Sequence, residues 1–367
     1  MQLFFGKVIL YIERLPKKTH MRFEAATIKD IAKALGISTS TVSRALRDSY
    51  EISDITKQTV IDYAKTINYK PNPIALSLKA KKSKSIGVVL PEISNNFFSQ
   101  VINGIEKVAR NYGYNVVITQ NFESYRNEIN NINFLASRSI DGCLVSVSSE
   151  TQDFSHFTSL QERGLPIVFF DRIIESLEGH TVTIDNEKGA YDIAIHLLKN
   201  NYRKIAFISN SPSLYITSKR FNGYKRALAE YGIAIDPSFI KYCLHDGLYN
   251  DEVEYMLDEL FSNDSKPDAI LSCTDKLTTL CMRYCKEHDM KIPDDISITG
   301  FSNLDITDLL CPSLTVVRQP ASRMGKLATQ LLIKTIESKR PVVDYENIML
   351  PVELKIGESS RPKIFSY

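Results

Sequence analysis

Hydrophobic residues recur at helical spacing in three short stretches near the beginning of the chain. Each stretch places apolar side chains three or four residues apart, which puts them on one face of a helix. The three apolar faces consist of Ile28, Ile31, Ala32 and Leu35, then Val42, Ala45 and Leu46, then Val60, Ile61, Ala64 and Ile67. Thr27, Ser38 and Ser53 are candidate N-caps, because their hydroxyls can accept free backbone amides. The pattern predicts three helices, with Gly36 ending the first and the third running from Asp54 to Ile67.

From Ile86 onwards, short apolar runs alternate with amphipathic stretches. Strands that alternate with helices predict a doubly wound parallel sheet. The first series has predicted strands at 86–91, 115–119, 142–147 and 166–170, with helices at 97–112, 125–138 and around Leu160. The second begins at Val182, with predicted strands at 205–209, 240–244, 269–273 and 297–301 and helices at 187–200, 220–231, 251–261 and 276–288. Two α/β lobes are therefore expected, with ligand in the cleft at the carboxyl ends of the strands.

Composition and charge separate a basic head from a mildly acidic body. The 367 residues allow two or three domains, and no run of eighteen apolar residues predicts a membrane span. Between Thr27 and Ser85 there are eleven Lys or Arg and five Asp or Glu, a net charge of +6, whereas the whole chain carries +2. The remainder therefore carries −4. This distribution indicates a nucleic-acid-binding module attached to a separate body.

The first two predicted helices have the character of a helix-turn-helix unit, whose second helix enters the DNA major groove. Opposite its apolar face, this second helix carries Thr39, Ser40, Ser43 and Arg44. Small hydroxyl residues allow close approach, and the helix N-terminal amides can meet a phosphate. Arg44 is long enough to reach a guanine edge with two hydrogen bonds. An ordinary amphipathic helical hairpin is the alternative interpretation of these residues taken alone.

Motifs in the head and just after it resemble the LacI/GalR family of bacterial transcriptional repressors. They are Thr27-Ile28-Lys29-Asp30-Ile31-Ala32, Thr41-Val42-Ser43-Arg44, Asn72-Pro73 with Ser77-Leu78-Lys79, and Lys84-Ser85-Ile86-Gly87. The likeness runs from about Thr27 to Leu354. It implies a three-helix head and a hinge, followed by a two-lobed effector domain that resembles periplasmic sugar-binding proteins.

The resemblance also implies how such a protein contacts DNA. The segment from Pro73 to Ala80 is too short to hold a helix alone, and in the family it folds when two copies meet in the minor groove. Leu78 lies where the family places an apolar wedge between base steps. Packing of Leu78 against the body is the alternative, which the surrounding lysines disfavour. The candidate DNA-binding residues are Thr27, Ser38, Thr39, Ser40, Thr41, Ser43, Arg44, Tyr50, Leu78 and Lys79.

Residues that follow the predicted strands are candidates for effector binding. Phe97 and Phe98 follow the first strand, and one of these adjacent aromatics is expected near the cleft, where it would stack on a sugar or base ring. Asp171 and Arg172 follow the strand at 166–170, and a carboxylate beside a guanidinium suits sugar hydroxyls. Arg220 matches a ligand-binding arginine of the family, and Thr274, Asp275, Ser302 and Asn303 match loops after two further strands. A salt bridge at the cleft edge or a helix cap is the alternative for Asp171, Arg172 and Asp275.

This chain departs from the family pattern in ways that bear on the effector. Many sugar-binding members carry an acidic residue where this chain has Ser302, and Ala and Gly where it has Thr278 and Leu280. The missing carboxylate weakens the expectation of a simple neutral monosaccharide. With Arg172 and Arg220 present, an acidic or phosphorylated sugar becomes more attractive. The predicted partners are therefore double-stranded operator DNA, a second copy of the chain, and a sugar, sugar acid or sugar phosphate.

Nothing in the sequence predicts catalysis, a cofactor or a metal. It contains no P-loop, HExxH or GxSxG motif. Cys281, Cys285 and His288 have helical spacing, but buried free thiols are favoured over a metal site, and six scattered cysteines suit a reducing cytoplasm. An enzyme fused to a DNA-binding head is disfavoured by the missing motifs. An architectural DNA-bending protein without a ligand is disfavoured by the long two-lobed body.

The predicted organisation has four parts. Residues 1–24 are interpreted as a disordered or artefactual extension, with translation beginning at Met21. Residues 25–71 form the DNA-binding head, and 72–84 form the hinge helix and linker. Residues 85–367 form the effector-binding and dimerisation domain, with lobe one at about 85–184 and 318–346 and lobe two at about 185–317 and 347–367. The predicted function is a cytoplasmic, effector-controlled repressor of carbohydrate-utilisation genes.

Overall fold

The computed structural model describes residues 26–70, 82–245, 247–262, 264–338, 340 and 344–362. The chain divides between Lys81 and Lys82 into two compact units, here termed the head and the body. The predicted extension over 1–24 and the hinge residues Leu78 and Lys79 lie outside the described residues. Within the described part, no helix is both long and apolar enough to cross a membrane.

The head is built from three helices, α1 (Ile28–Leu35), α2 (Thr39–Ala45) and α3 (Asp54–Thr66). All three predicted caps are confirmed, since the side chains of Thr27, Ser38 and Ser53 each accept a backbone amide of the first turn. Gly36 has a φ of 65°, the left-handed conformation that glycine tolerates. The core contains Ile31, Val42 and Val60, and Tyr63 packs against it rather than the predicted Ile61.

The body alternates strands and helices along the chain. Its first half contains β1 (Ser85–Leu90), α4 (Asn96–Asn111), β2 (Asn115–Gln120), α5 (Tyr125–Ser137), β3 (Gly142–Val145), α6 (Ser155–Glu162), β4 (Ile167–Phe170) and β5 (His180–Ile184). Then follow α7 (Asn186–Lys199), β6 (Ile205–Ser209), α8 (Tyr215–Glu230), β7 (Ile240–Tyr242), α9 (Asn250–Ser262), β8 (Ala269–Ser272), α10 (Asp275–Glu287) and β9 (Ser297–Phe301). The last elements are β10 (Thr315–Arg318), α11 (Ala321–Glu337), β11 (Asn347–Leu350) and β12 (Glu353–Lys355).

Two six-stranded sheets form the two lobes. The first has the strand order β11-β5-β4-β3-β1-β2 and is parallel throughout. The second has the order β12-β10-β9-β8-β6-β7 and is parallel except at its edge, where β12 runs antiparallel to β10. The two doubly wound lobes of the prediction are confirmed.

The chain crosses between the lobes three times, and one crossing differs from the prediction. β11 pairs with β5 from Asn347 to Leu350, so these residues belong to the first lobe rather than to the second. The third crossing therefore follows Leu350, where Pro351 ends the strand before β12 begins. Another difference is that α8 begins at Tyr215, five residues before the predicted start, so that Arg220 lies within the helix.

Close packing of α4 against α11 stabilises the first lobe. Gly104 of α4 faces the backbone carbonyl of Ser322, and Gly325 of α11 faces the carbonyl of Val101. A Cβ atom at either glycine would overlap the opposing carbonyl oxygen. The two backbones approach so closely because both contact positions lack a side chain.

Candidate DNA interface and ligand cleft

The exposed face of α2 presents a cluster of hydroxyl groups at its N-terminus. The Ser38 Oγ accepts the Thr41 amide at 3.1 Å and lies 2.7 Å from the Ser40 hydroxyl and 2.8 Å from the Thr41 hydroxyl. Thr39 is exposed on the same turn. The helix N-terminus therefore offers backbone amides and short donors together, a combination that suits a phosphate oxygen.

The remaining predicted contacts of the head occupy different settings. Thr27 participates in a capping box, since its hydroxyl donates to Asp30 at 2.7 Å while its side chain accepts the Asp30 amide. The Ser43 hydroxyl accepts a hydrogen bond from Arg47 Nη2 at 2.7 Å. Arg44 is exposed, and Tyr50 is 93% exposed. Arg44 and Tyr50 are thus accessible to a surface, whereas Thr27 and Ser43 also have local structural roles.

In the body, buried polar side chains gather where the strands of both sheets end. Asn121 follows β2, Ser146 follows β3, Asn210 follows β6, and Ser272 ends β8. Each is completely buried, and within the described residues the Asn121 Nδ2, the Ser146 and Ser272 hydroxyls and both polar atoms of Asn210 have no hydrogen-bond partner. Buried polar groups almost always have partners, so these unpaired atoms make the region a candidate site for a polar ligand. We call it the cleft.

Arg220 links several backbone segments at the cleft. Its Nε donates to Asn186 Oδ1 at 2.8 Å, its Nη2 donates to Gln319 Oε1 at 3.1 Å, and its Nη1 donates to the carbonyl of Cys273. The guanidinium stacks on the ring of Phe301 at 3.8 Å. Arg220 therefore holds the second lobe and the Gln319 crossing together, in addition to its predicted role toward a ligand.

Asp171 is almost completely buried at the end of β4 and has a φ of 59°. Burial raises the pKa of this carboxyl group, while the guanidinium groups of Arg172 and Arg220 act in the opposite direction. Asp is one of the residue types that adopt this left-handed conformation, and here it places the carboxyl group directly after the strand. Its burial and its place after β4 keep Asp171 a candidate for an effector contact.

Arg172 is paired with a carboxylate and is not available to bind an anionic ligand in the cleft. Its Nη1 donates to both carboxylate oxygens of Glu123 at 2.7 Å, and both side chains are buried. The alternative that the sequence left open, a salt bridge at the cleft edge, is what the structure contains. The case for an acidic or phosphorylated sugar loses one of its two arginines because a carboxylate already neutralises that guanidinium.

Two buried glutamates that the sequence analysis missed hold the loop after β3. Glu123 accepts the Ser149 amide at 2.8 Å, and Glu128 accepts the Ser148 amide at 2.7 Å and the Thr151 hydroxyl at 2.8 Å. The same loop reaches the second lobe, because the Ser149 hydroxyl donates to the Leu244 carbonyl at 3.0 Å. These side chains follow no strand directly, so the rule that selected Asp171 could not find them. Asn121 and Asn210 do follow strands directly, so the same rule would have selected them.

The residues predicted after β8 and β9 bond mainly to one another. Thr274 caps α10, and the Asp275 carboxylate accepts the Asn303 amide at 2.7 Å. Burial raises the pKa of Asp275, against the hydrogen bonds from Ser302 and Asn303. The Ser302 hydroxyl accepts the Leu304 amide at 3.2 Å. The helix cap that the sequence allowed as an alternative for Asp275 is formed by its neighbour Thr274, while Asp275 bonds to the loop after β9.

Asn303 bonds across the lobes rather than into the cleft. Its Nδ2 donates to Gln100 Oε1 and to the Gln319 carbonyl, both at 2.8 Å, and its Oδ1 accepts the Gln319 amide at 3.1 Å. Gln100 Nε2 in turn donates to the Asn303 carbonyl at 3.0 Å. Both polar ends of the side chain are therefore engaged, and Gln100 is a functional candidate that the sequence analysis missed.

Phe97 and Phe98 are both buried in the core of the body, which corrects the expectation that only one would face inward. Their rings meet edge to face at 5.2 Å, and Phe98 also meets Phe170 edge to face at 6.4 Å. Phe98 still borders the narrow gap between the lobes. Glu92 lines this gap from the same lobe as Phe98, and Lys276 lines it from the other lobe. Phe98 is thus the better placed of the two for a ligand.

The lobes are joined by several polar contacts, so the cleft is closed. Besides the Gln100–Asn303 contact, these are Ser149 to Leu244 at 3.0 Å, Ser213 to Ser149 at 3.4 Å, Lys276 to Glu92 at 3.5 Å and Lys219 to Glu175 at 2.9 Å. An opening of about 290 Å³ remains at one edge, lined by Glu92 and Asn95 from the first lobe and Asp275 and Lys276 from the second.

Two neighbouring cysteines of α10 are in an environment that suppresses their reactivity. Cys281 and Cys285 are buried, and burial raises the pKa of Cys285 to about 12. Protonated, enclosed thiols are poor metal ligands and poor nucleophiles. Among the described residues, no group of three or more His, Cys, Asp or Glu side chains is arranged to hold a metal ion.

The head and the body each match a family of known proteins. The family model described as "Bacterial regulatory proteins, lacI family" matches residues 27–72, and the model described as "Periplasmic binding protein-like domain" matches residues 194–360. The chain is 30% identical to catabolite control protein A of Priestia megaterium over 336 residues, which cover 91% of this chain and 99% of that protein. It is 30% identical to the HTH-type transcriptional repressor PurR of Vibrio atlanticus over 338 residues, 92% of this chain and 99% of the repressor.

Solved structures share the fold. The lac repressor dimer bound to operator and the anti-inducer ONPF superposes with a TM-score of 0.76 at 21% identity, covering 92% of this chain and all of that one. The transcriptional regulator CelR–cellobiose complex gives a TM-score of 0.68 at 23% identity, covering 91% of this chain and 99% of that one. At these identities the likeness establishes the architecture.

Proposed function

Because the chain belongs to the lacI family of bacterial regulatory proteins and is thus a DNA-binding transcriptional regulator rather than an enzyme, we propose that it represses carbohydrate-utilisation genes under the control of a small sugar in the cleft. The observation that carries the effector proposal is the set of buried, unpaired polar atoms on Asn121, Ser146, Asn210 and Ser272. A ligand rich in hydroxyl groups would satisfy these donors and acceptors.

The charges at the cleft favour a neutral ligand. Glu123 neutralises Arg172, and Arg220 donates to two side-chain oxygens and a backbone carbonyl. The Asp171 carboxylate adds negative charge at the same place. An anionic sugar would meet Asp171 without a dedicated cation, whereas hydroxyl groups can donate to it. CelR, which shares the fold, was solved with cellobiose, a neutral sugar.

On DNA, we assign base contact to Arg44 and surface contact to Tyr50, with α2 entering the major groove through its hydroxyl-rich N-terminus. The wedge role of Leu78 and the DNA contact of Lys79 remain predictions from the motif. Action on DNA also implies a cytoplasmic location.

A homodimer would bury an apolar hollow on the second lobe. This hollow has a volume of about 810 Å³ and is lined by residues that include Met282, Met290, Ile306 and Leu310. Ile306 and the neighbouring Leu309 are largely exposed in the single chain. A second copy is the natural occupant because a two-fold axis doubles the information that one head reads, and the lac repressor was solved as a dimer. Met282→Glu should yield monomers in analytical ultracentrifugation, and an unchanged dimer would remove this surface from the interface.

A ligand screen tests the effector proposal. Thermal melting of the full chain would be followed with neutral mono- and disaccharides, sugar acids, sugar phosphates and nucleobases. We expect stabilisation by a neutral sugar, lost in Asp171→Asn and kept in Asp192→Asn, a charge-matched control on the body surface. Stabilisation by sugar phosphates or nucleobases alone would overturn the neutral-sugar proposal.

A selection experiment tests the DNA proposal. Duplexes bound by the wild-type chain would be selected from a random-sequence pool, and the affinity for the selected duplex compared with that for unselected DNA. Arg44→Ala should reduce this ratio by roughly 5- to 150-fold, since a bidentate base contact contributes about 1–3 kcal/mol of discrimination. An equal loss on both duplexes would make Arg44 a phosphate contact.

A further inference from the structure

The loop between α2 and α3 is fixed in place by several independent contacts. The Ser49 amide donates to the Arg44 carbonyl at 3.1 Å, which turns the loop back over the end of α2. Asp48 is held by Lys57 at 2.7 Å, and Ile52 packs against the core of the head. Glu51, which precedes Ile52, therefore has a position determined by the fold of the loop.

From this position Glu51 contacts the arginine assigned to base recognition. The Glu51 Oε2 lies 3.2 Å from Arg44 Nε, and the two side chains are 46% and 53% exposed. An arginine has five N–H donors in a rigid fork. Because the carboxylate meets the Nε edge, the two terminal nitrogens are left as a pair, which is the arrangement that binds the O6 and N7 atoms of guanine.

Glu51 differs in this respect from the other acidic residues of the described head. Asp30 participates in the capping box of α1, Asp48 and Asp54 contact Lys57, and Asp62 accepts a hydrogen bond from Gln58. Each of these carboxylates has a partner on the scaffold. Glu51 is paired with a side chain on the exposed face of α2 instead.

The contribution of the Glu51–Arg44 ion pair to folding stability is too small to explain why the pair is present. An exposed salt bridge contributes little to folding. A carboxylate near DNA also repels the phosphates, and this repulsion weakens binding to every sequence equally. Glu51 can change the preference for one sequence only if it also has an effect that depends on the bases. Holding the Arg44 side chain in one orientation has such an effect. The side chain then loses less freedom when it binds the correct base, and it adapts less readily to a wrong base.

We propose that Glu51 is a specificity-determining positioning residue that orients the Arg44 guanidinium toward guanine and penalises binding to non-cognate DNA. The inference depends on the proposed base contact of Arg44 and adds to it a residue that does not itself read the base. Both side chains become less hydrated when α2 enters the groove, and their mutual orientation then matters more than in the free protein.

The test compares Glu51→Gln with Asp54→Asn, a control that removes the same charge from the start of α3, three positions further along the chain, without touching Arg44. The probes are the duplex selected by the wild-type chain and an unselected random duplex. Asp54→Asn should strengthen binding to both duplexes by a similar factor. Glu51→Gln should strengthen binding to the random duplex but lower the selected-to-random ratio roughly three- to tenfold. Glu51→Asp, which keeps the charge but is shorter, should lower the ratio without strengthening random binding.

Thermal melting would first confirm that the variants are folded. In an Arg44→Ala background, Glu51→Gln should leave the ratio unchanged, because no guanidinium remains to be positioned. If Glu51→Gln behaves like Asp54→Asn while Arg44→Ala loses discrimination, the inference is wrong and the base contact stands. If Arg44→Ala keeps full discrimination, the base contact fails and the role of Glu51 fails with it.

Discussion

Gln100 and Asn303 exchange two hydrogen bonds between the lobes, at 2.8 Å and 3.0 Å, although 203 positions separate them in the chain. Asn303 also bonds to Gln319 at a crossing between the lobes, and its backbone amide bonds to Asp275. Gln319 in turn accepts a hydrogen bond from Arg220. One continuous set of hydrogen bonds therefore connects the cleft, a crossing segment and the contact between the lobes.

We expect Gln100→Ala to weaken effector binding roughly 5- to 30-fold, because the closed arrangement of the lobes loses two hydrogen bonds worth about 1–2 kcal/mol together. A ligand that contacts both lobes must then supply part of the free energy of closure. Isothermal titration with the sugar identified by melting would measure the change. Asn103→Ala, an exposed amide one turn further along α4, is the control, and equal affinities for the two variants would exclude this role for Gln100.

We expect Arg220→Ala to abolish the effector response and also to destabilise the body by about 1–3 kcal/mol, because Asn186, Gln319 and the Cys273 carbonyl lose a buried donor. Operator binding without effector should persist. Thermal melting and operator titration with and without effector measure the two effects separately. Arg226→Ala, on the same helix but exposed, should change neither; a full effector response in Arg220→Ala would place Arg220 outside the effector path.

Effector affinity should fall on acidification over a pH range above the ordinary aspartate pKa of 3.8, because burial raises the pKa of Asp171. The charged carboxylate accepts strong, charge-assisted hydrogen bonds from sugar hydroxyls, and protonation weakens them and takes up one acceptor position. The facing charged groups are Arg172, Arg220 and Glu123, and the two guanidinium groups limit the upward shift. Titrations at decreasing pH should show a dependence in the wild type that is lost in Asp171→Asn; the same dependence in both proteins would assign the proton to another group.

Folding stability should decline as the pH falls below about 6.5 in part because of His180. Its Nδ1 accepts the Glu346 amide at 2.9 Å, so the folded state requires the neutral ring, and burial lowers the pKa of His180 from 6.5. The unfolded chain takes up the proton first, so stability is complete above that pH and is lost below it. Chemical denaturation should show a smaller decline in His180→Asn, by about 1 kcal/mol. An unchanged pH profile would exclude His180 as the group responsible.

The sequence predicted well those features that depend on neighbouring residues. The caps Thr27, Ser38 and Ser53 and the glycine at position 36 are local signals, and the structure confirms all of them. Strands buried on both faces, such as Ser85–Leu90, are equally visible because their apolar runs are uninterrupted. The two C-terminal edge strands gave no such signal, since Asn347–Leu350 and Glu353–Lys355 are short and largely exposed.

The cleft was only partly predictable because its bonding joins distant segments. Asp171 could be identified from its place after a strand, but nothing near Arg172 indicates that Glu123, 49 positions earlier, neutralises it. Asn303 was selected by the same rule as Asp171, yet Gln100 engages its side chain from the other lobe. The start of α8 was placed too late, since no side chain caps this helix and its first turn contains β-branched residues.

The last crossing makes the segment from Asn347 to Lys355 a shared part of both lobes. β11 closes one edge of the first sheet and β12 closes one edge of the second, and only two residues separate them. A protease that removed the chain from Asn347 onwards would expose a raw edge on each sheet at the same time, and exposed edges invite strand addition by other chains. Loss of this one segment would therefore turn an intact regulator into an aggregation-prone species in one step.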